Sequence, residues 1–485
     1  MKVTLNNIGN IKKAEYEVGA LTVLCGKNNT GKTQAMYILY AWLSYIINVS
    51  DYQSLHNKKK EPIYNVFSVS AKMIDFIKSV RNKISSSGNI TDISVLRSVI
   101  DNISFDIVSH VCSFLLEDFN KNISAIVGNN AQNNQNKKKH FSIICDERQF
   151  DILKSIFTQQ ITDSTISQWE EVLRDVNLQN AIQLLTMMFC HFMITMIDFD
   201  GADFEDVISS NSIVNTHIIT VERSGITMFS DELNIDNNAV IIKLIKDGKV
   251  SLDELQELLL SKKYPIPVED NIKFFTKELR SKREEISFIA KDHPEVLSLF
   301  EKICGGKFNF QEYGIINYEP SKSNKNISLQ ISSSSVRAML HLSFYLHHLA
   351  KKGDMLMIDE PELNLHPNNQ RLMSQMIAML INLGVKVMLT THSDYIVNEF
   401  NSLIMMKHQK EKNPTKINKI MKKYRYNDLM LLDAKQCKAT IAKNNNRGIA
   451  EFFKLEVDDF WGIDTKNFDD TIVTMRDIKE QIITT

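Results

Sequence analysis

The chain has 485 residues, 24% of them charged and 43% hydrophobic, with a formal net charge of -1; that length fits about three domain-sized units, or one domain split by insertions. Near-neutral charge excludes polyanion binding by bulk electrostatics, and 16 Gly with 8 Pro are too few for a collagenous or Pro/Gly-rich disordered chain. The six cysteines lie far apart without a CxxC, and no uncharged apolar run reaches about 18 residues, so the expectation is a cytoplasmic globular protein without disulfide framework, zinc ribbon, secretory leader or membrane span.

In chain order, residues 1–18 alternate like two strands joined at Gly9-Asn10, and 21–25 form a short apolar run of buried-strand type. Gly26-Lys27-Asn28-Asn29-Thr30-Gly31-Lys32-Thr33 follows, and the apolar text from Ala35 reads as a helix. From about 64 to 198 the pattern is mostly helical, clearest at 71–84, 94–116 and 169–197. An Asn- and Lys-rich loop at 129–139 interrupts it between two short strand-like runs. A strand is expected at 217–222, before Arg223-Ser224-Gly225, and helix at about 253–303, ending at Gly305-Gly306. From Phe308 the pattern turns to strands, then to a strand–helix–strand series up to about 405.

Two strings carry chemistry. Gly26-x4-Gly31-Lys32-Thr33 has the spacing of a phosphate-binding P-loop, with an apolar strand before it and a helix after. Glycines let backbone N–H groups turn inward around phosphate oxygens, at a helix N-terminus that favours anions. Lys32 would reach the β- and γ-phosphates, and Thr33 would ligate Mg²⁺. The second string, Met355-Leu356-Met357-Ile358-Asp359-Glu360, delivers two carboxylates at the end of a buried strand: Asp359 for the Mg²⁺ shell and Glu360 to polarise the attacking water. Beyond a further helix capped at Gly384, the strand 385–389 leads into Thr390-Thr391-His392-Ser393, where His392 can reach a γ-phosphate.

Together with the serine run Ser332-Ser333-Ser334-Ser335, Asp359-Glu360-Pro361-Glu362 and Asn364-Leu365-His366-Pro367, these strings resemble the ABC-type ATPase head, on its SMC/RecF/OLD branch. The resemblance covers about 1–50 and 306–405, with a weaker likeness of Glu222-Arg223-Ser224-Gly225-Ile226 to a strand-and-turn of stand-alone prokaryotic members. It implies an α/β fold: a P-loop ABC-type ATPase head split by largely helical insertions. The expected organisation is a head N-lobe (1–60), a helical insertion (61–205), a head strand segment (206–245), a second helical insertion (246–305) and a head C-lobe (306–485) with signature, Walker B and His switch. It further implies that ATP is held by Gly26, Asn28, Asn29, Thr30, Gly31, Lys32, Thr33 and Gln34, with Thr33 and Asp359 on Mg²⁺ and Glu360 and His392 catalytic. Ser333, Ser334, Ser335 and the Asn364 loop would serve the site of a second protomer, so a homodimer or a multiple of dimers is expected. Serines replace the usual signature Gly pair, and Gln53, the only nearby candidate for a Q-loop glutamine, reads as a polar loop residue.

Three clusters are discounted. Asp198, Asp200, Asp203, Glu205 and Asp206 miss the EF-hand spacing and read as a solvated loop. His341, His347 and His348 lack carboxylate or Cys partners at metal spacing and read as helix-packing or surface residues. Lys407, Lys410, Lys412, Lys416, Lys419, Lys422, Lys423 and Arg425 oppose one acid, Glu411; the run reads as a solvated basic face, although such a block would also suit a nucleic-acid backbone. No HNH or TOPRIM pattern appears, so no nuclease activity of its own is expected. The resemblance points to a nucleotide-driven switch of bacterial antiphage defence, Septu-like or PARIS-like, that holds a separate HNH- or TOPRIM-type effector nuclease. The alternatives are a RecF-like DNA-repair ATPase that grips DNA directly and a self-contained nuclease with an unrecognised site.

Overall fold

The computed structural model describes residues 2–50, 140–144, 215–229, 264–310, 316–323, 325–464, 477–478 and 480–481. The helices expected at 71–84, 94–116 and 169–197, the loop 129–139, Gln53 and the acidic cluster 198–206 lie outside them, as does most of the first insertion.

Among the described residues one nine-stranded sheet organises the fold. Its strands are β1 (Lys2–Ile8), β2 (Ile11–Glu17), β3 (Leu21–Gly26), β4 (His140–Ile144), β5 (Thr216–Ile219), β9 (Met355–Asp359), β10 (Lys386–Thr391), β11 (Cys437–Asn444) and β12 (Ala450–Leu455), in the order β4-β1-β2-β12-β11-β3-β10-β9-β5. A separate three-stranded sheet holds β6 (Gly306–Phe310), β7 (Ile316–Pro320) and β8 (Ile327–Ser328). From β11 to β5 all neighbours in the large sheet are parallel. These strands read as continuous apolar runs because both faces are covered: every residue of β3 and of β9 is buried. The other wing is largely antiparallel, β4 on β1 and β1 on β2, and β2 there mixes buried with exposed positions. The two-residue connection Gly9-Asn10 stands as expected, with Ile8 opposite Ile11 and Gly9 at φ 56.

Helices cover the sheet. α1 (Lys32–Ser50) leaves β3 and buries Ala35 through Leu43 without a break; each fully buried Leu or Ile there contributes about 1.5–3 kcal/mol. α2 (Arg223–Met228) follows β5, and α3 (Ile266–Lys273) and α4 (Pro294–Cys304) lie within the expected second helical stretch. α4 stops at Gly305, left-handed at φ 71, as the Gly305-Gly306 pair suggested. α5 (Ser334–Phe344) carries the serine run at its start, with Ser333 Oγ accepting from the Val336 N–H at 3.3 Å as its N-cap. α6 (Pro367–Asn382) and α7 (Asp394–Lys412) follow β9 and β10, and α8 (Pro414–Tyr424) extends the chain past 405.

Two expectations are corrected. The strand expected at 217–222 ends at Ile219, and Arg223 opens a helix instead of a turn. The cause is a competing partner: the Thr220 N–H donates to Asn271 Oδ1 at 3.2 Å, so the parallel ladder with β9 stops there. The second concerns the far end of the chain, where no strand was expected. β11 and β12 form a hairpin inserted between β3 and β2, so the sheet is completed by residues beyond 436. Among the described residues no helix is long and apolar enough to cross a membrane.

Candidate functional site

The site lies where the parallel strands end. β3 finishes at Gly26 with φ 132, and a Cβ there would sit 2.2 Å from the Ala442 carbonyl oxygen on β11. Gly31, at φ 81, passes Ile11 closely enough that a Cβ would fall 2.7 Å from its Cγ1. Both glycines are therefore required by backbone angle and by space. Between them Asn29 is left-handed at φ 62, and its carbonyl accepts from Asn10 Nδ2 at 2.7 Å and Asn444 Nδ2 at 3.2 Å. The loop is thus pinned from the β1–β2 turn on one side and the end of β11 on the other.

Lys32 Nζ donates to the Gly26 and Lys27 carbonyls, each at 2.8 Å. Burial pushes the Lys32 pKa down, opposed by the charges of Glu360 and Asp359. Asn28, Asn29, Thr30, Gly31, Lys32, Thr33 and Gln34 line one cavity of about 470 Å³, together with Asn10 and Glu360. The structure thus brings the expected P-loop residues from Asn28 to Gln34 around a common space, which Gly26 does not line.

The carboxylates come from the end of β9, separated from β3 by β10. Asp359 is fully buried; its Oδ1 accepts from Thr33 Oγ1 at 3.0 Å and from Thr390 Oγ1, while its Oδ2 has no hydrogen-bond partner among the described residues. Burial pushes the Asp359 carboxyl up to about 6. An octahedral Mg²⁺ with ligand distances of about 2.1 Å places neighbouring ligand oxygens about 3 Å apart, so the Thr33–Asp359 pair has the spacing for two of its positions. The unpartnered Oδ2 adds a buried oxygen that a cation would satisfy. Among the described residues no group of three or more His, Cys, Asp and Glu is placed to hold a metal; this pair suits a cation that keeps waters and phosphate oxygens as its other ligands.

Glu360 stands at φ 50, its N–H donating to Thr390 O at 3.2 Å and to Thr390 Oγ1 at 3.1 Å. Its Oε1 lies 3.6 Å from His392 Nδ1, which is also 3.4 Å from Glu362 Oε1. The contact with His392 leads the causes that lower the Glu360 pKa, and the same contact leads those that raise His392. Glu362 is buried and holds the far end of β10: its Oε1 accepts from Thr391 Oγ1 at 2.7 Å and from the His392 N–H at 2.8 Å. The arrangement sets a carboxylate able to take a water proton next to a phosphate-sized cleft, with an imidazole beside it.

The serine run is placed apart. Ser333 and Ser334 are exposed and Ser335 half-buried at the start of α5, with Ser333 and Ser335 hydroxyls 2.9 Å apart, and none lines the P-loop cavity of its own chain. Asn364 is exposed and left-handed at φ 60. His341 is buried with its ring stacked on Phe274 at 3.8 Å, and His347 and His348 bond to the Ser343 and Glu285 carbonyls, so all three are packing residues. In the basic run, Lys410 pairs with Asp428, whereas Lys416, Lys419, Lys422 and Lys423 are exposed on α8, which buries Ile417 and Met421 on its other side.

Sequence reasoning missed four contributors. Thr390 joins Asp359 to Glu360, and Asn10 with Asn444 clamps the loop. Arg223 lies fully buried behind both carboxylates. Thr390 and Arg223 stood inside strings already singled out, but only their partners across the fold show their roles.

Residues 1–397 match the family described as AAA ATPase domain. No curated protein matches the chain. Among solved structures, the SmcHead bound to the C-winged helix domain of ScpA is 10% identical, with a TM-score of 0.32, over 94% of this chain and 97% of that one. An Smc head domain with an extended coiled coil bound to the C-terminal domain of ScpA, from Pyrococcus furiosus, is 12% identical at a TM-score of 0.30, over 99% and 98%. An Smc head domain with a coiled coil and joint, from Pyrococcus yayanosii, is 11% identical at a TM-score of 0.30, over 99% of each chain.

Proposed function

Because the chain belongs to the AAA ATPase domain family, we propose that it is an ATP-driven switch whose P-loop cleft hydrolyses Mg·ATP between two protomers. The observation carrying this reading is the Thr33–Asp359 pair, 3.0 Å apart, with an unpartnered buried Oδ2, beside a cavity that Glu360 also lines. Backbone N–H groups of 27–33 and the Lys32 ammonium would hold the β- and γ-phosphates. Thr33 and Asp359 would hold Mg²⁺, which would supply neutralisation of phosphate charge. Glu360 would accept the proton of the attacking water at its carboxylate oxygen, and His392 would keep that carboxylate ionised and aimed.

Ser333, Ser334 and Ser335, exposed and away from their own P-loop, would complete the site of a second copy, with Asn364 beside them. Mixing a Ser334→Arg protomer with a Lys32→Ala protomer tests this. Each pair regains one wild-type P-loop facing one wild-type serine run, so two inactive proteins should recover part of the ATPase activity. A chain that stays monomeric with ATP bound, and shows no rescue at any ratio, would remove the composite site.

The switch is proposed to control a separate effector nuclease in bacterial antiphage defence, on the resemblance of the motif set to stand-alone Septu-like and PARIS-like ATPases. Expression with the neighbouring gene should protect cells from phage, and Lys32→Ala should abolish protection; purified alone, the chain should leave DNA intact. A second reading, a RecF/SMC-like DNA-binding ATPase, is favoured by α8, where Lys416, Lys419 and Lys423 follow i, i+3, i+7 spacing and Lys423 Nζ lies 5.0 Å from the centre of the exposed Tyr424 ring. Salt-dependent binding of duplex DNA, lost on charge reversal of those lysines, would support it.

A further inference from the structure

Arg223 is 1% exposed, and its hydrogen bonds go to backbone carbonyls. Nη1 donates to Asp359 O at 2.7 Å and to Thr220 O at 3.1 Å, and Nη2 donates to Glu360 O at 2.6 Å. A guanidinium suits a carboxylate fork, yet here its two ends grip consecutive carbonyls at the point where β9 ends. Between those carbonyls the chain enters the left-handed conformation of Glu360, which a non-glycine residue keeps only where its surroundings fix it. Thr390 holds the N–H side of that residue and Arg223 holds the C=O side.

Arg223 is itself held. Thr220, whose carbonyl it bonds, donates its N–H to Asn271 Oδ1, and Asn271 Nδ2 donates to Ile218 O at 2.8 Å and Pro267 O at 3.0 Å. The Thr227 hydroxyl, one turn along α2, donates to the Arg223 carbonyl at 2.7 Å. Burial lowers the Arg223 pKa to about 10, which leaves it charged at neutral pH behind the Asp359, Glu360 and Glu362 carboxylates.

We propose that Arg223 is a positioning residue for Glu360: it fixes the backbone from which the water-activating carboxylate projects, without touching nucleotide. The inference rests on the reading of Glu360 as the hydrolytic carboxylate. A small misplacement of such a group costs turnover far more than it costs nucleotide binding. Lys at 223 would keep a positive charge but lose the planar fork that reaches two carbonyls at once.

The test is Arg223→Lys in the full chain, with ATP affinity by calorimetry, kcat and KM by steady-state phosphate release, and the His392 pKa by NMR. ATP affinity and KM should stay within about twofold, kcat should fall tenfold or more, and the His392 pKa should drop because Glu360 no longer lies beside it. The Arg223→Lys/Glu360→Gln double variant should be no slower than Glu360→Gln alone, since both changes act on one group. A normal kcat for Arg223→Lys, or two losses that multiply in the double variant, would overturn the inference. If Arg223→Lys does not fold, Arg223→Gln, whose amide still donates to one carbonyl, carries the same measurements. Unfolding of both variants would also overturn it, because the residue would then be a requirement of the fold. The two readings fail separately: equal turnover by wild type and Glu360→Gln would sink the role of Glu360, whereas a slow Glu360→Gln beside a normal Arg223→Lys would sink only this one.

Discussion

Glu360→Gln isolates one oxygen's charge in a site that otherwise stays built. The amide is nearly isosteric, the backbone bonds to Thr390 and Arg223 do not involve the side chain, and Thr33, Asp359 and Lys32 keep their partners. ATP binding should therefore be unchanged within about twofold. A general base supplies about 10²- to 10⁴-fold, so turnover should fall by at least about 10²-fold, equivalent to about 2.7 kcal/mol of barrier. The structure gives a second readout. Glu360 is the leading cause of the raised His392 pKa, so the variant should bring that pKa down toward the ordinary imidazole value, with Glu362 at 3.4 Å retaining part of the shift. Phosphate release under saturating Mg·ATP measures the first effect and NMR titration of His392 the second. Near-normal turnover would remove Glu360 from catalysis, and a lowered His392 pKa with undiminished turnover would show the pair to be electrostatic only.

Three further outcomes follow from the same geometry. Lys32→Ala removes the side-chain ammonium that closes the loop over Gly26 and Lys27, and calorimetry should show weakened binding of both ATP and ADP; wild-type affinity for both would refute the P-loop assignment. Gly26→Ala must place a Cβ 2.2 Å from a backbone oxygen at φ 132, so thermal melting should show a loss of about 3 kcal/mol or more; Gly305→Ala, at φ 71 with its nearest neighbour at 3.6 Å, should cost only about 1 kcal/mol. Because burial raises Asp359 to about 6, Mg·ATP affinity should weaken as pH falls through that value, where Mg²⁺ must displace a proton. The sign for the metal-free chain is opposite: the folded state holds this proton more tightly than the unfolded state, so this group's contribution to stability rises as pH falls through about 6.

Much of the site was legible because its parts are local strings. Gly26 and Gly31 had to be glycine for the backbone to turn inward, and Asp359 had to end an apolar run because a fully buried strand delivers it. Those requirements are written within a few residues of each function. What failed to show were the long-range partners. Thr220 belongs to a strand by pattern, and only Asn271, some fifty positions on, takes its N–H and releases the chain into α2. The segment 437–455 mixes Lys, Asn and Glu with apolar residues, yet it supplies the strand parallel to β3 and the carbonyl that forbids a side chain at Gly26. No window of sequence contains both halves of such a contact.

The placement of β10 explains how these separate strings become one site. It lies between the P-loop strand and the carboxylate strand, so those two ends are held about 10 Å apart, twice the usual strand spacing. Thr33 spans that gap from the first turn of α1, and β10 fills it from beneath with a continuous polar exit. Thr390 bonds both Asp359 and the Glu360 N–H, Thr391 bonds Glu362, and His392 then meets Glu360 and Glu362 together. A strand with an apolar interior thus ends in residues that touch these carboxylates. Thr390 holds the Asp359 carboxylate and Thr391 the Glu362 carboxylate, while Glu360 lines the cavity beside the P-loop. That is why an apolar strand followed by Thr-Thr-His carries information that the P-loop alone does not: it sets where the carboxylates stand relative to whatever the P-loop holds.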